Sequence, residues 1–374
     1  GSGKVFRNHL RKKKALGRKF LVAGKGGFNL THGEAIQNFI ARYTPSSFLE
    51  KSLLNFDNKD LQNWLESIGI PMYTGTSNRV FPLKGIKPIE VLQAIEALLA
   101  ERQVRTEFGK TWQSWGENNE LIFNEDDSLE SDIQIFALGG ASWKVTGSDG
   151  SWLSAFADKG IETIPFQASN CAYTINWDPD FIARHEGAPL KNVAISCGRK
   201  TQKGEAVITK EGMEGNAIYA LSPIIRQRLK QGKAATIYVD FKTTLTEGRV
   251  FSKLKRSRYQ KLSDTLKNDL KLSTTQIALL KAYLPKEEFL EKDKLAQKIK
   301  AFPLVVIGTS EIDAAISTVG GISLSEVDKN FQLKTLPGQY CIGEMLDWDA
   351  PTGGYLLQAC FSMGYGLAEH LNGE

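Results

Sequence analysis

Three glycine-rich segments are the parts of this sequence best suited to bind a ligand. They read GRKFLVAGKGGFNLTHGE from Gly17, LGGASWKVTGSDGSW from Leu138 and GEMLDWDAPTGGYLLQACFSMGYGLAEHL from Gly343. Glycine lets main-chain N–H groups approach a ligand closely and adopts positive φ easily, so such segments suit a phosphate or a planar ring. Each segment alone is equally consistent with tight turns in a glycine-rich α/β protein.

No side chain identifies itself as a catalyst. The four histidines are dispersed without a carboxylate at a recognisable spacing, and we interpret them as surface or loop residues: His9, His32, His185 and His370. The four cysteines show no CxxC spacing, which argues against a zinc site and a disulfide framework, and we expect buried thiols: Cys171, Cys197, Cys341 and Cys360. No metal is expected.

Taken together, in this order and spacing, the three segments resemble the aminoacetone oxidase-like, or BaiN-like, family of NAD(P)/FAD-dependent oxidoreductases. Two further blocks belong to the resemblance, GEAVITKEGMEGNAIYALS from Gly204 and STVGGISLSEVD from Ser317. The resemblance implies an α/β fold: a glutathione-reductase-like, Rossmann-type FAD-binding domain interrupted by a β-rich insertion with a small helical subdomain. It also implies FAD-dependent oxidoreduction of a small amine, carbonyl or related substrate.

The same resemblance assigns three groups of residues to FAD. The first would line the pyrophosphate and ribityl region: Gly17, Arg18, Lys19, Gly24, Gly26, Gly27, Asn29 and Thr31. The second would pass close to the cofactor: Gly139, Gly140, Ala141 and Ser142, followed by Thr146, Gly147 and Asp149. The third combines an acid for a ribityl hydroxyl with the start of a helix whose dipole would face the flavin: Gly343, Glu344, Gly353, Gly354 and Tyr355.

One part of the family pattern has no counterpart in this sequence. A member should begin with an apolar strand, a G-x-G-x-x-G turn, a helix and a second strand ending in an acid, about 30 residues in all. The residues before Gly17 are few and basic, and Phe6 takes the place of the third glycine in the opening GSGKVF. We therefore expect the chain alone to bind free FAD weakly or not at all. A cofactor-free remnant that acts as a binding module is the alternative.

The hydrophobic pattern predicts the elements that position these segments. One apolar stripe over Pro88–Gln103 predicts a helix, and the alternation that follows predicts a β-meander with a turn at Gly116–Asn119. The apolar run Ile133–Leu138 predicts a buried strand whose carboxyl end opens onto Gly139 and Gly140, where ligands of open α/β sheets bind.

The hydrophobic pattern changes between β-like and helical periods in the segments that follow this strand, and these changes predict the domain boundaries. Residues 1–164 and 321–374 would form the FAD-binding domain, residues 165–246 and 303–320 the β-rich insertion, and residues 247–302 a helical subdomain separable from the rest. Ser263 and Ser273 are candidate N-caps in that helical part.

Composition places the chain among ordinary globular proteins, with 41% hydrophobic and 24% charged residues. No stretch is apolar enough to cross a bilayer and no secretory signal is evident, so we expect a cytoplasmic protein without a membrane partner. The net charge of +5 is concentrated in two runs, Arg11–Lys14 and Lys253–Lys261. We interpret these runs as a mobile end and solvated helix faces, with nucleic-acid binding as the alternative. The oligomeric state stays open.

Overall fold

The computed structural model describes residues 7–23, 27–124 and 127–373. Its contacts divide the chain into two compact units. One unit runs to Gln167 and resumes at Ile316, and the other is Ala168–Ala315. The first unit is therefore discontinuous in sequence, because the second is inserted into it.

Short helices and strands alternate through the first part of the discontinuous unit. In chain order they are β1 (Asn8–Arg11), α1 (Arg18–Ala23), β2 (Thr31–His32), α2 (Ile36–Ile40), α3 (Ser46–Asn55), α4 (Asn58–Ser67), β3 (Met72–Thr74), β4 (Arg79–Pro82), α5 (Pro88–Glu101), β5 (Arg105–Phe108), β6 (Trp112–Trp115), β7 (Leu121–Phe123), β8 (Ser128–Leu129), β9 (Gln134–Phe136), α6 (Leu153–Asp158) and β10 (Thr163–Ser169).

The inserted unit combines a sheet with helices. Its elements are β11 (Tyr173–Thr174), α7 (Pro179–His185), β12 (Pro189–Cys197), β13 (Lys200–Thr209), β14 (Gly212–Glu214), α8 (Asn216–Tyr219), α9 (Ser222–Lys230), β15 (Ala235–Asp240), α10 (Glu247–Arg256), α11 (Leu262–Asn268), α12 (Thr274–Tyr283), α13 (Lys286–Leu290), α14 (Lys292–Lys300), β16 (Phe302–Val306) and β17 (Gly308–Thr309). The chain then returns to the first unit with β18 (Ser317–Ile322), β19 (Gln339–Cys341) and α15 (Tyr355–Gly373).

Parallel pairing within the discontinuous unit joins distant parts of the sequence. β1 pairs with β5, and β9 pairs with β19 in the register Gln134–Gln339 to Phe136–Cys341. Antiparallel pairing builds the β-meander β6–β7–β8 and the small sheet β2–β4–β3. The meander and the helix α5 confirm the pattern-based predictions for residues 88–132.

The strand predicted over Ile133–Leu138 is shorter and less buried than expected. β9 spans Gln134–Phe136, and the side chains of Ile133 and Ile135 are 46% and 50% exposed. Phe136 is buried in the core, with 5% exposure, and the half-buried Leu138 packs against the same core cluster. The apolar run therefore reflects a half-covered strand, which periodicity cannot distinguish from a fully buried one.

The basic N-terminal residues form structure that the sequence did not predict. Asn8–Arg11 is the strand β1, since main-chain pairing to β5 does not require apolar side chains. Lys12 then forms an ion pair with Asp149 at 2.8 Å, and Lys13 packs beside Gly147. The expectation that Arg11–Lys14 is a mobile end was wrong, because this run is held against the loop that follows β9.

The inserted unit is built on an antiparallel sheet. Within the described residues its strand order is β16–β15–β12–β13–β14–β11–β17. The helical part predicted for residues 247–301 is present as α10–α14. Ser273 caps α12 in a capping box with Gln276, as expected, whereas Ser263 lies inside α11, which begins at Leu262.

Helices α10–α14 and the sheet share one hydrophobic core, which differs from the separable subdomain expected from the sequence. Leu254, Leu280 and Ile299 are buried in the same cluster as Ile195 and Val239 of the sheet. Two polar contacts also connect α14 to the chain after β15: Lys300 Nζ lies 2.6 Å from Asp240 Oδ2, and Phe241 N–H donates to Ile299 O. The helices thus cover sheet surface.

Replacing Leu280 by Ala should lower the free energy of unfolding by about 2–5 kcal/mol, because the fully buried side chain lies in the shared core. The control Leu290→Ala, at a position 57% exposed, should change it by less than about 0.5 kcal/mol. Urea titration followed by circular dichroism measures both values. Equal, small effects would show that the helices are not part of the core of the inserted unit.

Candidate functional site

Lys19 brings the three glycine-rich segments together. Its Nζ donates to Ser142 Oγ at 3.1 Å and lies 3.7 Å from Glu344 Oε2. These three residues belong to the first, second and third segment, and more than one hundred residues separate each from the next in sequence. The Lys19 and Glu344 side chains retain 31% and 21% exposure, whereas Ser142 is fully buried, so the accessible part of the cluster is the Lys19 and Glu344 pair.

Cys360 packs behind Glu344 but does not add a nucleophile. Burial, followed by the nearby Glu344 carboxylate, raises the pKa of the Cys360 thiol well above its ordinary value. The thiolate is the reactive form of cysteine, so this group is inert at neutral pH. The polar chemistry of the cluster therefore comes from an ammonium, a hydroxyl and a carboxylate.

Gly140 permits a close approach between the second segment and β18. A Cβ at this position would overlap Oγ1 of Thr318, which accepts a hydrogen bond from Ala141 N–H at 3.1 Å. Ser148 Oγ donates to Gly140 O at 2.6 Å and closes the loop. The loop after β9 is thus fixed on both sides before any ligand is added.

Gly354 permits the corresponding approach between the third segment and the first. It has a φ of +96°, and a Cβ there would overlap the main chain of Thr31. Buried Thr31 Oγ1 donates to Gln358 Oε1 at 2.7 Å, and Gln358 Nε2 donates to Phe56 O at 3.1 Å. The first turn of α15 is therefore packed directly on β2.

A charged network surrounds the start of α15. Tyr355 Oη donates to Glu34 Oε1, and Arg42 binds the same carboxylate through two nitrogens at 2.8 and 3.0 Å. Burial opposes ionisation of Glu34, but the bonds from Arg42 and Tyr355 outweigh it and lower the pKa of this carboxyl. Burial, then the Glu34 bond, raises the pKa of the Tyr355 hydroxyl, which keeps its proton.

The loops after β1 and β9 meet through Lys12 and Asp149. Burial works against the Asp149 carboxylate, yet hydrogen bonds from Lys12 and Ser151 lower its pKa to about 2. The carboxyl ends of two parallel strand pairs are thus joined by an ion pair. Open α/β sheets bind ligands at such strand ends.

The structure accounts for most of the residues that the sequence assigned to the site. Gly17 has a φ of +57° and packs against Leu92, Arg18 begins α1, and Gly27 has a φ of +113°. Gly139, Gly343 and Gly353 also adopt positive φ, and Trp348 Nε1 donates to Gly343 O at 2.9 Å. Gly24 and Gly26 lie outside the described residues.

Asn29 carries the clearest sign of a missing partner. Its Nδ2 atom is buried and makes no hydrogen bond within the described residues. Buried donors are normally paired, because an unpaired one loses its hydration without compensation. Asn29 is two residues from Thr31, which contacts Gly354, so the unsatisfied donor lies in the segment where the glycine-rich blocks meet.

This donor set fits the polar part of FAD. A ribityl chain offers hydroxyls and a pyrophosphate offers anionic oxygens, which match the Glu344 carboxylate, the Asn29 amide, the Ser142 hydroxyl and the Lys19 ammonium. The first turn of α15 adds a positive dipole end. The residues present are therefore compatible with the cofactor that the sequence resemblance implies.

Some participants were missed by sequence reasoning. Glu34 and Arg42, which flank α2, form an ion pair. Thr318 fills the space at Gly140. None of these three residues has a local signal in the sequence. His32 was expected to lack a carboxylate partner, but its Nδ1 lies 3.9 Å from Glu34 Oε1. Burial lowers the pKa of His32, so its imidazole is neutral at physiological pH.

Tryptophans of the β-meander and of the second segment pack in the core. Trp112, Trp115 and Trp152 surround Phe156 in edge-to-face contacts with centroids 4.9–5.5 Å apart. Such packing is the commoner use of aromatic residues. Trp143 instead occupies a left-handed turn with a φ of +60°.

A family comparison covers nearly the whole sequence. The profile described as the HI0933-like protein Rossmann domain matches residues 8–370. The chain belongs to this HI0933-like Rossmann-domain family. Membership confirms the resemblance inferred from the three glycine-rich segments. It also confirms the fold class, a Rossmann-type FAD-binding domain interrupted by a β-rich region.

Two characterised proteins are similar to this chain over most of their length. A 3-dehydro-bile acid delta(4,6)-reductase of Clostridium scindens is 24% identical over 381 residues, which covers 98% of this chain and 92% of the relative. A ribosomal RNA dihydrouridine synthase of Haemophilus influenzae is 22% identical over 367 residues, with coverage of 95% and 90%.

Among solved structures, a quinol–fumarate reductase with menaquinol aligns with a TM-score of 0.45 and 10% identity, covering 98% of this chain and 67% of that chain. A 3-ketosteroid-delta4-(5alpha)-dehydrogenase of Rhodococcus jostii aligns with a TM-score of 0.40 and 13% identity, covering 96% and 90%.

None of the helices in the described part of the chain combines the length and the apolar character that a membrane span needs.

Replacing Asn29 by Leu should separate ligand binding from stability. The change removes an unsatisfied buried donor at similar volume, so the protein without FAD should unfold at the same or a higher temperature. Affinity for FAD should fall about tenfold, the loss expected for one buried hydrogen bond of about 1.4 kcal/mol. Thermal unfolding and flavin fluorescence titration measure the two effects. A destabilised protein with unchanged FAD affinity would assign Asn29 to the fold alone.

Proposed function

We propose that this protein is an FAD-dependent oxidoreductase acting on a small organic substrate. The observation that carries the proposal is the meeting of three glycine-rich segments at Lys19, Ser142 and Glu344. Family membership and the unsatisfied Asn29 amide support the same cofactor. When bound, FAD would supply the hydride chemistry that none of the described side chains provides.

Each residue of the cluster has a distinct role in this proposal. Glu344 accepts from ribityl hydroxyls, Asn29 donates to the cofactor, and Lys19 balances pyrophosphate charge while it holds the Ser142 loop in place. Gly354 fixes the N-terminal turn of α15 against Thr31, and the dipole of this turn would favour negative charge on a bound reduced flavin. Tyr355 retains its proton and, through Glu34, keeps that turn oriented.

The names of both relatives favour reduction over amine oxidation. One is a delta(4,6)-reductase of a 3-dehydro-bile acid, and the other forms dihydrouridine, which is uridine with two added hydrogens. We infer that this chain adds a hydride and a proton to a carbon–carbon double bond conjugated to a carbonyl group. The carbonyl substrate class expected from the sequence resemblance includes such compounds.

An anaerobic half-reaction tests the reaction type. The FAD-loaded protein, reduced with dithionite, is mixed with a conjugated enone and with its saturated ketone. The flavin absorbance should return with the enone alone, because hydride transfer needs the double bond. A small primary amine is then added to the oxidised protein. If the amine abolishes the flavin absorbance and no enone reoxidises the reduced flavin, the protein is an amine oxidase and the proposed reduction is contradicted.

Replacing Lys19 by Met should weaken FAD binding by about tenfold or more, because a charge-assisted contact contributes about 1.5–3 kcal/mol. The control Lys51→Met removes a charge from an exposed position on α3 and should leave the affinity within about twofold. Fluorescence titration with FAD measures both dissociation constants. Equal effects of the two substitutions would remove Lys19 from the proposed site.

A further inference from the structure

The turn between α10 and α11 carries an open, positively charged cavity. Its volume is about 360 Å³, and it is lined by Ser252, Lys253, Arg256, Ser257, Arg258 and Asp269. We call the cations Lys253, Arg256 and Arg258, together with this cavity, the basic surface. Three cations and two hydroxyls face one carboxylate, so the lining is dominated by donors suited to phosphate oxygens.

The three cations are available to a ligand. Within the described residues none of them forms an ion pair with a carboxylate, and Lys253 Nζ donates only to the main-chain oxygen of Asp269, at 3.1 Å. All three side chains are exposed. Lys242 lies within the field of Lys253, since burial and then the charge of Lys253 lower the pKa of Lys242.

Helix stabilisation explains only part of this charge. Lys253 and Arg256 lie in the last turn of α10, where cations stabilise the negative end of the helix dipole. Arg258 and the exposed Lys261 lie beyond the end of the helix, so the dipole does not account for them. A ligand that spans the turn would use all of these cations together.

The turn itself is fixed, and the residue that follows Arg258 in it is the aromatic Tyr259. Ser257 Oγ shares a hydrogen bond of 2.8 Å with Thr265 Oγ1 and accepts from Tyr259 N–H at 3.2 Å. Val250 and Leu254 anchor α10 in the core beneath it. Tyr259 is 36% exposed. Exposed cations and an exposed aromatic ring in one turn suit single-stranded nucleic acid, because phosphates bind to cations and bases stack on aromatic rings.

We propose that the basic surface binds single-stranded nucleic acid, with backbone phosphates at Lys253, Arg256 and Arg258 and a base stacked on Tyr259. The exposed ring distinguishes this partner from a phosphopeptide or an anionic membrane, neither of which needs a stacking platform. The inference goes beyond the proposed oxidoreductase function and does not rest on it. Binding here requires no flavin.

Fluorescence anisotropy with a labelled oligouridylate and the full chain tests the proposal. The triple variant Lys253→Ala, Arg256→Ala, Arg258→Ala should bind at least tenfold more weakly. The slope of log affinity against log salt should fall by about 2, since each phosphate contact on a single strand contributes about 0.7. Tyr259→Ala should weaken binding about fivefold or more with an unchanged salt slope, because stacking does not release counterions.

The matched control removes three exposed lysines from α12–α14 through Lys281→Ala, Lys286→Ala and Lys292→Ala, which lie outside the cavity. It should retain affinity within about twofold, and thermal unfolding should show that all variants are folded. Equal losses in both triple variants, or unchanged affinity in the first, would overturn the proposal. Binding of phosphatidylserine vesicles with the same residue dependence, in the absence of oligouridylate binding, would also overturn it and identify a membrane surface.

Discussion

Close approach of main chains is the constraint on which the rest of the site depends. At Gly354 the start of α15 lies directly on Thr31, and at Gly140 the loop after β9 lies on Thr318. A side chain at either glycine would push two segments apart. With both approaches in place, Lys19 contacts Ser142 and Glu344 at the same time. The glycines thus act first as packing residues, and the geometry of the candidate site follows from that packing.

The sequence predicted the elements well where a local pattern determines them. Helix α5 follows from one apolar stripe, the N-cap of α12 from a serine at position 273, and the start of α15 from a Gly-Gly-Tyr sequence. The sequence-based prediction failed where contacts with residues distant in sequence determine the structure. β1 forms in a basic stretch because β5 pairs with it, and helices α10–α14 join the core of the sheet because their apolar faces have no other surface to cover.

For the candidate site as well, the sequence indicated which residues take part but not the long-range contacts between them. Family resemblance named Lys19, Ser142 and Glu344, and the structure shows that they are in contact. The resemblance could not indicate that Gly354 leaves room for the main chain of Thr31, or that Tyr355 donates to Glu34. Those contacts connect positions more than three hundred residues apart. The assignment of each residue to a particular part of the cofactor remains a proposal. Within the described residues, the Asn29 Nδ2 atom is a buried donor without a partner in the first glycine-rich segment, which is why we assign it to the cofactor.

Hydrogen–deuterium exchange with and without saturating FAD tests the central claim that one ligand engages all three segments. Amides in residues 17–31, 138–147 and 343–358 should gain protection together on addition of FAD. Residues 253–261 of the basic surface should exchange at an unchanged rate. Protection in only one of the three segments, or in none, at saturating FAD would contradict a shared site, whatever the affinity of the chain for the cofactor.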